Sequence, residues 1–489
     1  MKKQLFLCFF LPLTFIVMTS NSISAQNKKK GSKNQTKRQS DLYLRAPRVI
    51  PGTLPQMRKS SYWISKLKEP DEVVLTYTEI EARNTAFYKR MANRSNELDS
   101  VLNNRINKQL KSRPGLLAHI PDIDLMTSSE LEDFTKEIVQ NTASYIRSRE
   151  FGNIMAILYS EEELTAIENE ISHEGTPSKL IPQKAIVTTQ SRLHIIPPVK
   201  PEYIGMYTNG KARWDLWNLD TLPLGTMVTI LYTSKSGAFS FVLSERGYGW
   251  VSSEDLGIYA ASEGDLFIDG NEFVVCTGDR IPFYTNANCT MVSGWMFMGD
   301  RLPLAGSDPR LILIPFRNAN GKLSIQEAWL KPDTDVHIGY LPFTQRNAAE
   351  QAFKLLDNLY DWTGSWYGRN HATNIRDIYR CFGFQLPANG TLIAAYSDRP
   401  LTVKPIEGKD AQFKAILSNE PFLTIQICEN SHSQLFMGQY DGMPIGFDAH
   451  GYSYMDKNGN DLEIKRWVIG TIEMPDYFLK QEISFVRLY

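Results

Sequence analysis

Cysteine is scarce in this chain, five residues in 489, and one of the five, Cys8, lies in an apolar leader. The other four, Cys276, Cys289, Cys381 and Cys428, follow no regular spacing, which excludes a disulfide-framed scaffold. An excess of either charge is also missing. With 53 basic and 54 acidic side chains the net charge is −1, so no basic face for nucleic acid is expected. The apolar run from Leu5 to Met18 is short for a bilayer span, and no transmembrane segment is expected once it is removed. What is present is aromatic: 11% of the residues are Phe, Trp or Tyr, which argues for ordered globular domains. A chain of this length exceeds one core, so several domains are expected.

Lys2 and Lys3 precede the apolar run, and Ser24-Ala25 supplies the small residues of a cleavage site. Residues 1–25 therefore read as a signal peptide, and the chain as exported: periplasmic, envelope-associated or secreted. Cys8 stands too early for a lipoprotein anchor. Residues 26–50 are polar and basic, with Lys28, Lys29, Lys30, Lys33, Lys37 and Arg38, and read as a linker.

From residue 51 to 180 the pattern is helical. Ser128 is a candidate cap for a helix to Ser148, and Ser160 with Glu163 matches a capping box. From 181 to 260 the period changes to two, with strands at Met227–Tyr232 and Ala238–Leu243 and the Gly249-Trp250-Val251 run beyond. Strands this short suggest a small barrel. A second such set fills 261–335, with strands at Glu272–Cys276, Thr290–Phe297, Leu311–Pro315 and Lys322–Leu330 and a hairpin signal at Asn318–Gly321. Cys276 and Cys289 either pair or stay as thiols; spacing does not choose.

The last stretch, 336–489, begins with a helical face of Ala349, Ala352, Phe353, Leu356 and Tyr360. A loop rich in aromatics and glycine follows, then Asn370-His371-Ala372-Thr373, then a second helical face at Ala372, Ile375, Tyr379 and Phe382. His371 is thus expected at a helix N-terminus, where free N–H groups and the helix dipole favour an anion. The strands Phe422–Cys428, His432–Gly438 and Pro444–His450 come later, with another hairpin signal at Lys457–Asn460. Helices first and antiparallel strands afterwards make an α+β domain. With a three-residue loop at Tyr440–Gly442, His432 faces His450 and has Asp448 as diagonal neighbour. A two-residue loop shifts this register by one.

Tyr360-Asp361-Trp362-Thr363-Gly364, Gly368-Arg369-Asn370-His371, Ile375-Arg376-Asp377 and Phe382-Gly383-Phe384-Gln385-Leu386-Pro387 resemble the active-site segment of the NlpC-type, papain-like cell-wall peptidases that carry bacterial SH3 domains. Tyr62-Trp63-Ile64, Pro70-Asp71, Glu79-Ile80 and Asn84 resemble that family's N-terminal helical module, and the run from Leu224 to Ser252 resembles its first SH3 domain. The resemblance implies four folded parts: a helical N-terminal module, two small SH3-like β-barrels and a C-terminal α+β papain-like domain. In the family an Asp-Cys-Ser triplet opens the active-site helix, and here Asn370-His371-Ala372 stands in its place. His371 therefore occupies the nucleophile position. Ser431-His432-Ser433 resembles the strand of the general-base histidine, and Asp448 falls where the orienting residue belongs.

The expected ligand-binding set is Tyr360, Trp362, Arg369 and Asn370, with Tyr248 and Glu245 from the first barrel; for Tyr248 the bland alternative is barrel core. An imidazole is a far poorer nucleophile toward an amide than a thiolate, so the resemblance implies a cysteine-peptidase homologue without catalysis, binding a peptidoglycan stem peptide or an envelope protein. Two alternatives stand beside it: a hydrolase with an unrecognised nucleophile, and a structural protein binding through its barrels. No cofactor is expected. A zinc site from His371, His432 and His450 or Asp448 is the sharper reading of the same positions, without a short-spaced ligand pair to support it. His119, His173, His194 and His337 read as loop or surface histidines.

Overall fold

The computed structural model describes residues 49–116, 126–148, 150–153, 155, 157–171, 182–199, 206–207, 214–260, 264–267, 272–362, 364, 367–397, 400–450, 453–455, 461–472 and 478–489. The expected signal peptide, the basic linker through residue 48, the Lys457–Asn460 turn, His119 and His173 lie outside them.

Four helices lead: α1 (Tyr77–Ala92), α2 (Ser100–Ser112), α3 (Ser128–Arg147) and α4 (Glu161–Ile171). The cap of α3 is Thr127 rather than Ser128, because Thr127 forms a reciprocal box with Glu130. For α4 the Ser160–Glu163 box forms as expected. These helices are tied to the rest of the chain. Asn84 of α1 donates to the Gly383 carbonyl (2.9 Å) and accepts from the Gln385 amide (2.9 Å), fixing the segment after the active-site helix.

A seven-stranded antiparallel sheet comes next: β1 (Gln183–Val187), β2 (Ser191–His194), β3 (Asn218–Leu222), β4 (Met227–Thr233), β5 (Phe239–Ser244), β6 (Gly247–Ser252) and β7 (Leu256–Ile258), in the order 3-2-6-5-4-1-7. The following stretch gives β8 (Phe273–Cys276), β9 (Arg280–Tyr284), β10 (Val292–Phe297), β11 (Arg301–Pro303), β12 (Leu311–Arg317), β13 (Leu323–Trp329) and β14 (Val336–Ile338). They form a three-stranded sheet, 11-8-14, and a four-stranded one, 10-9-13-12. Among the described residues neither stretch closes into the expected barrel. Strand β9 is not among the expected strands, and Pro282 stands inside it.

The C-terminal part packs α5 (Gln345–Lys354), α6 (His371–Arg380), α7 (Gly390–Ala394) and α8 (Lys409–Leu417) with a six-stranded antiparallel sheet. Its strands are β15 (Leu401–Val403), β16 (Thr424–Cys428), β17 (Ser433–Tyr440), β18 (Met443–His450), β19 (Arg466–Thr471) and β20 (Ile483–Arg487), ordered 15-20-16-17-18-19. Helix α5 ends well before Tyr360, since Asp357 adopts a left-handed φ of 71° and its amide turns to the Trp467 carbonyl. The α+β arrangement matches the expectation.

One apolar core runs through the leading helices, the seven-stranded sheet and the C-terminal part. Inside it lies a chain of charges. Arg376 of α6 donates to Asp220 of β3 and to Asp377, and Arg369 joins Asp377 to Asp279. Arg376 and Asp220 are both nearly sealed from solvent. Removing one partner of such a pair strands the other charge, so Arg376→Met is expected to cost about 3–5 kcal/mol in urea unfolding.

His194 corrects the surface expectation, since it lies buried on β2 with Asp215 3.8 Å away. Burial pushes its imidazole down from 6.5 to about 4. The unfolded chain then takes up a proton near 6.5 that the folded chain refuses until about 4. Stability from this group is present above that window and is lost as pH falls through it. The loss amounts to about 3 kcal/mol, and His194→Gln should flatten that part of the pH–stability profile.

Candidate active site

Helix α6 begins at His371 because Asn370 caps it. The Asn370 side-chain oxygen accepts from the amides of Ala372 and Thr373, both at 2.9 Å, and Thr373 Oγ1 accepts the Asn370 amide at 2.9 Å. The Asn370 side-chain amide donates to the Trp362 carbonyl at 2.8 Å. Both ends of this expected ligand-binding side chain thus serve the helix and its loop. Ala372, Ile375 and Tyr379 turn fully into the core, which fixes the rotation of the helix and leaves His371 half-buried over β17.

The partner across the cleft is His432, in the turn just before β17. Ser431 takes a left-handed φ of 74° there, and its hydroxyl accepts the Thr391 amide (3.0 Å) and meets the Asn389 side chain (3.2 Å). Gly390 is needed at this contact: a Cβ on it would stand 2.1 Å from the Ser431 carbonyl oxygen. The turn holds the His432 ring 4.8 Å from the His371 ring, centroid to centroid, tilted by 45°. Ser433 Oγ lies 3.0 Å from His371 Nδ1. Sequence reasoning gave Ser433 no role, although it adjoins His432 in the same motif.

Asp448 reaches His432 by way of an unexpected loop and a bulge. The loop is the two-residue form, Asp441 and Gly442, both with positive φ, and Tyr440 pairs with Met443. Taken alone, that loop puts His432 and Asp448 on opposite faces. A bulge between Phe436 and Gly438 inserts Met437 and moves the register back by one, so Phe436 pairs with Gly446 and Leu435 with Phe447. Asp448 then accepts from His432 Nε2 at 2.7 Å and lies 1% exposed. An Nε2–H held by a carboxylate leaves Nδ1 as the basic nitrogen of the neutral ring, the tautomer of a general base with its orienter.

The other expected residues divide. Tyr360 is buried and meets Trp214 edge to face at 6.0 Å, and it bridges Arg369 through the backbone. Trp362 is half-buried beside the cap. Arg369 is buried and committed to Asp377 and Asp279, so its guanidinium braces α6 against the strand sets. Tyr248 is half-buried, with its ring 6.3 Å from Phe134 of α3 and 6.1 Å from Phe241 of β5. Glu245 lies in the β5–β6 turn, 3.9 Å from Arg380 at the last residue of α6. Nine residues of helix separate that end from His371, about 13 Å. The structure therefore does not bring Glu245 to the histidine pair. Two residues near the loop went unnoticed in the sequence: Tyr367, with a φ of 58°, and Arg192 of β2, whose guanidinium covers its ring at 4.8 Å.

Among the described residues no group of three His, Cys, Asp or Glu is placed to hold a metal ion. His450 pairs with Arg466 at the end of β18, and its side chain lies outside the described residues. Of the zinc positions, His432 presents Nε2 to Asp448, which commits that carboxylate oxygen to the imidazole.

Cys276, Cys289, Cys381 and Cys428 are unpaired, which answers the open question of a Cys276–Cys289 bridge. Cys381 ends α6 in the core, and burial pushes it up to about 12. Cys428 contacts the His432 carbonyl (3.6 Å) and Asn430 (2.9 Å) rather than the imidazole, and burial likewise raises it to about 12. Cys276 is raised too, by burial first. A thiol of this kind stays protonated and unreactive at pH 8. Cys276, Cys381 and Cys428 are expected to resist iodoacetamide in native protein and to alkylate fully in denaturant, as read by mass spectrometry of the intact chain.

No family model and no curated protein matches the sequence. By structure the chain is similar to an NlpC/P60 endopeptidase from Photobacterium damselae subsp. piscicida, with a TM-score of 0.66 at 15% identity, over 88% of this chain and 96% of that one. An NlpC/P60 family protein from Bacillus cereus aligns over 63% of this chain and all of its own, at 17% identity and a TM-score of 0.40. The first likeness shows the fold, that of an NlpC/P60 endopeptidase. The chemistry has to be read from the residues.

Proposed function

We propose that this chain is an exported homologue of the peptidoglycan stem-peptide endopeptidases that has exchanged its nucleophile for an imidazole and binds a cell-wall peptide in the retained cleft without cutting it. One observation carries the reading. His371 is the first residue of α6, and its ring stands 4.8 Å from a histidine already oriented by a buried aspartate. A base and its orienter are in place and the sulfur they would activate is absent.

The loss is chemical rather than architectural. An amide carbonyl needs a nucleophile that forms a covalent intermediate with a workable leaving-group balance, and neutral imidazole supplies it far less well than a thiolate. Removing a nucleophile costs roughly six orders of magnitude in turnover in a well-studied hydrolase. The Asp-to-Asn exchange at position 370 also removes a negative charge that would attract the ammonium of a stem peptide. The buried, protonated thiols count against a substitute nucleophile.

The two antiparallel strand stretches between residues 183 and 338 support the reading of SH3-like modules beside the cleft. The basic, apolar and small-residue segments of the leader support export. An envelope protein in place of a peptide is the competing partner.

Wild-type protein is expected to leave a γ-D-glutamyl-diamino acid peptide uncut and to bind it measurably in calorimetry. The double variant His371→Cys, Asn370→Asp is expected to hydrolyse the same peptide at least about 10³-fold faster than wild type. Turnover by wild type at an enzymatic rate ends the proposal. Absence of heat with any muropeptide removes its cell-wall part and favours the envelope partner.

A further inference from the structure

A cavity of about 280 Å³ lies at the far end of α6, between that helix, α1, the seven-stranded sheet and the sheets that follow it. Four arginines, Arg246, Arg301, Arg376 and Arg380, line it against two carboxylates, Asp220 and Glu245. Arg376 and Asp220 are bonded to each other. The remaining lining has three guanidinium groups and one carboxylate.

Two of the three, Arg246 and Arg380, have no carboxylate within hydrogen-bond distance among the described residues. Arg246 has a side chain 7% exposed; its Nη1 donates to the Thr221 carbonyl at 2.6 Å and stands 3.9 Å from Asp220, and its Nη2 is buried without an acceptor among the described residues. Among the described residues Arg380 makes ion-pair contacts only beyond hydrogen-bond distance, 3.6 Å to Asp300 and 3.9 Å to Glu245. Arg301 donates to Tyr340 Oη at 3.3 Å and to the Phe267 carbonyl at 3.4 Å, and its guanidinium lies over the Phe273 ring at 5.2 Å. A buried donor left unmade is costly, and excess positive charge in a lined cavity is a demand for an anion.

Glu245 indicates which anion. One of its oxygens stands 3.9 Å from Arg246 Nε and 3.9 Å from Arg380 Nη2, between the two groups and too far to bond either. Its side chain is 46% exposed, so it can swing into solvent when a carboxylate takes the bonding positions. Burial also pushes Asp300 up to about 8, so at neutral pH it is largely protonated and neutralises Arg380 little. The opposite wall is aromatic: Phe273 and Tyr340 meet edge to face at 5.0 Å and give cover for an uncharged body.

We propose that this cavity is a second ligand site, which takes a small organic carboxylate between Arg246 and Arg380 with its body against Phe273 and Tyr340. The planar forks of the two arginines suit a carboxylate in two-point contact. The site is separate from the His371–His432 cleft, and the proposal stands whatever that cleft does.

The test is calorimetric titration of the full chain with succinate, with the dipeptide L-Ala-γ-D-Glu and with inorganic phosphate. Saturable binding of succinate or the dipeptide is expected, weakened about tenfold or more by Arg380→Gln, the loss of a charged hydrogen bond. Glu245→Gln is expected to act oppositely and tighten binding several-fold, because it removes the competing carboxylate. Glu245 is exposed enough that its substitution keeps the fold, so this variant carries the test alone if Arg380→Gln does not fold. Succinate binding with dipeptide excluded marks a free metabolite as ligand, and the reverse order of affinity marks a cell-wall fragment. Lack of saturable heat at millimolar ligand, binding of phosphate alone, or carboxylate binding indifferent to Glu245→Gln overturns the assignment.

Discussion

Helix α6 is fixed along its whole length, and what each end of it does follows from that. Its apolar stripe faces the core, its first turn is capped by Asn370, and its middle is tied to β3 through the buried Arg376–Asp220 pair. A helix of ten residues has little freedom left under those three constraints. The N-terminus must present residue 371 to β17, and the C-terminus must present Arg380 to the junction with the other strand sets. Desolvating Arg376 and Asp220 together is expensive, and the pair is stable only because each neutralises the other in good geometry. Such a pair locks one docking angle more than it adds net stability.

How much of this was legible in the sequence depends on the range of the interaction involved. The helix face of α6, the placement of His371 at its start and the Ser160–Glu163 box are set by contacts within four residues, and the sequence shows them. The His432–Asp448 pairing is different. Loop length alone gives the wrong face, and only the extra residue at Met437 restores it. Nothing in Leu435-Phe436-Met437-Gly438 separates a bulged strand from a straight one, except that Gly438 tolerates the φ of 126° it adopts there. Arg369 and Glu245 were misplaced for a longer-range reason. Their partners, Asp279 and Arg380, lie about 90 and 135 residues away, and no local pattern encodes which cation meets which carboxylate.

The two ends of α6 carry opposite chemistry. At the N-terminus the residue before His371 is an amide, Asn370, and both ends of it are engaged, one in the cap and one with the Trp362 carbonyl. At the C-terminus, where the helix dipole favours cations, Arg380 adds to the arginines of the neighbouring turn and strands. A ligand bearing both an ammonium and a carboxylate therefore finds less support at the first end than the family architecture implies, and more at the second. This asymmetry comes from side chains on one rigid element, so it does not require either end to move.

Retention of His432 and Asp448 needs an explanation that does not presuppose catalysis. Asp448 is 1% exposed, and its carboxylate also accepts the Ala449 amide at 2.7 Å. Such a group cannot lose its imidazole partner cheaply, since an unpaired buried carboxylate costs several kcal/mol, on the order of what a small domain has in reserve. His371 is half-buried, and its Nδ1 meets the Ser433 hydroxyl at 3.0 Å. A nucleophile can be exchanged at the helix start with little effect on the fold, while the base and its orienter are held by the sheet that buries them. The dyad is therefore what packing alone would preserve whether or not this chain cuts a peptide, and its presence is weak evidence for activity. The identity of residue 371 is the stronger evidence, because it stands at the capped start of α6, where the proposed reading puts the attacking group.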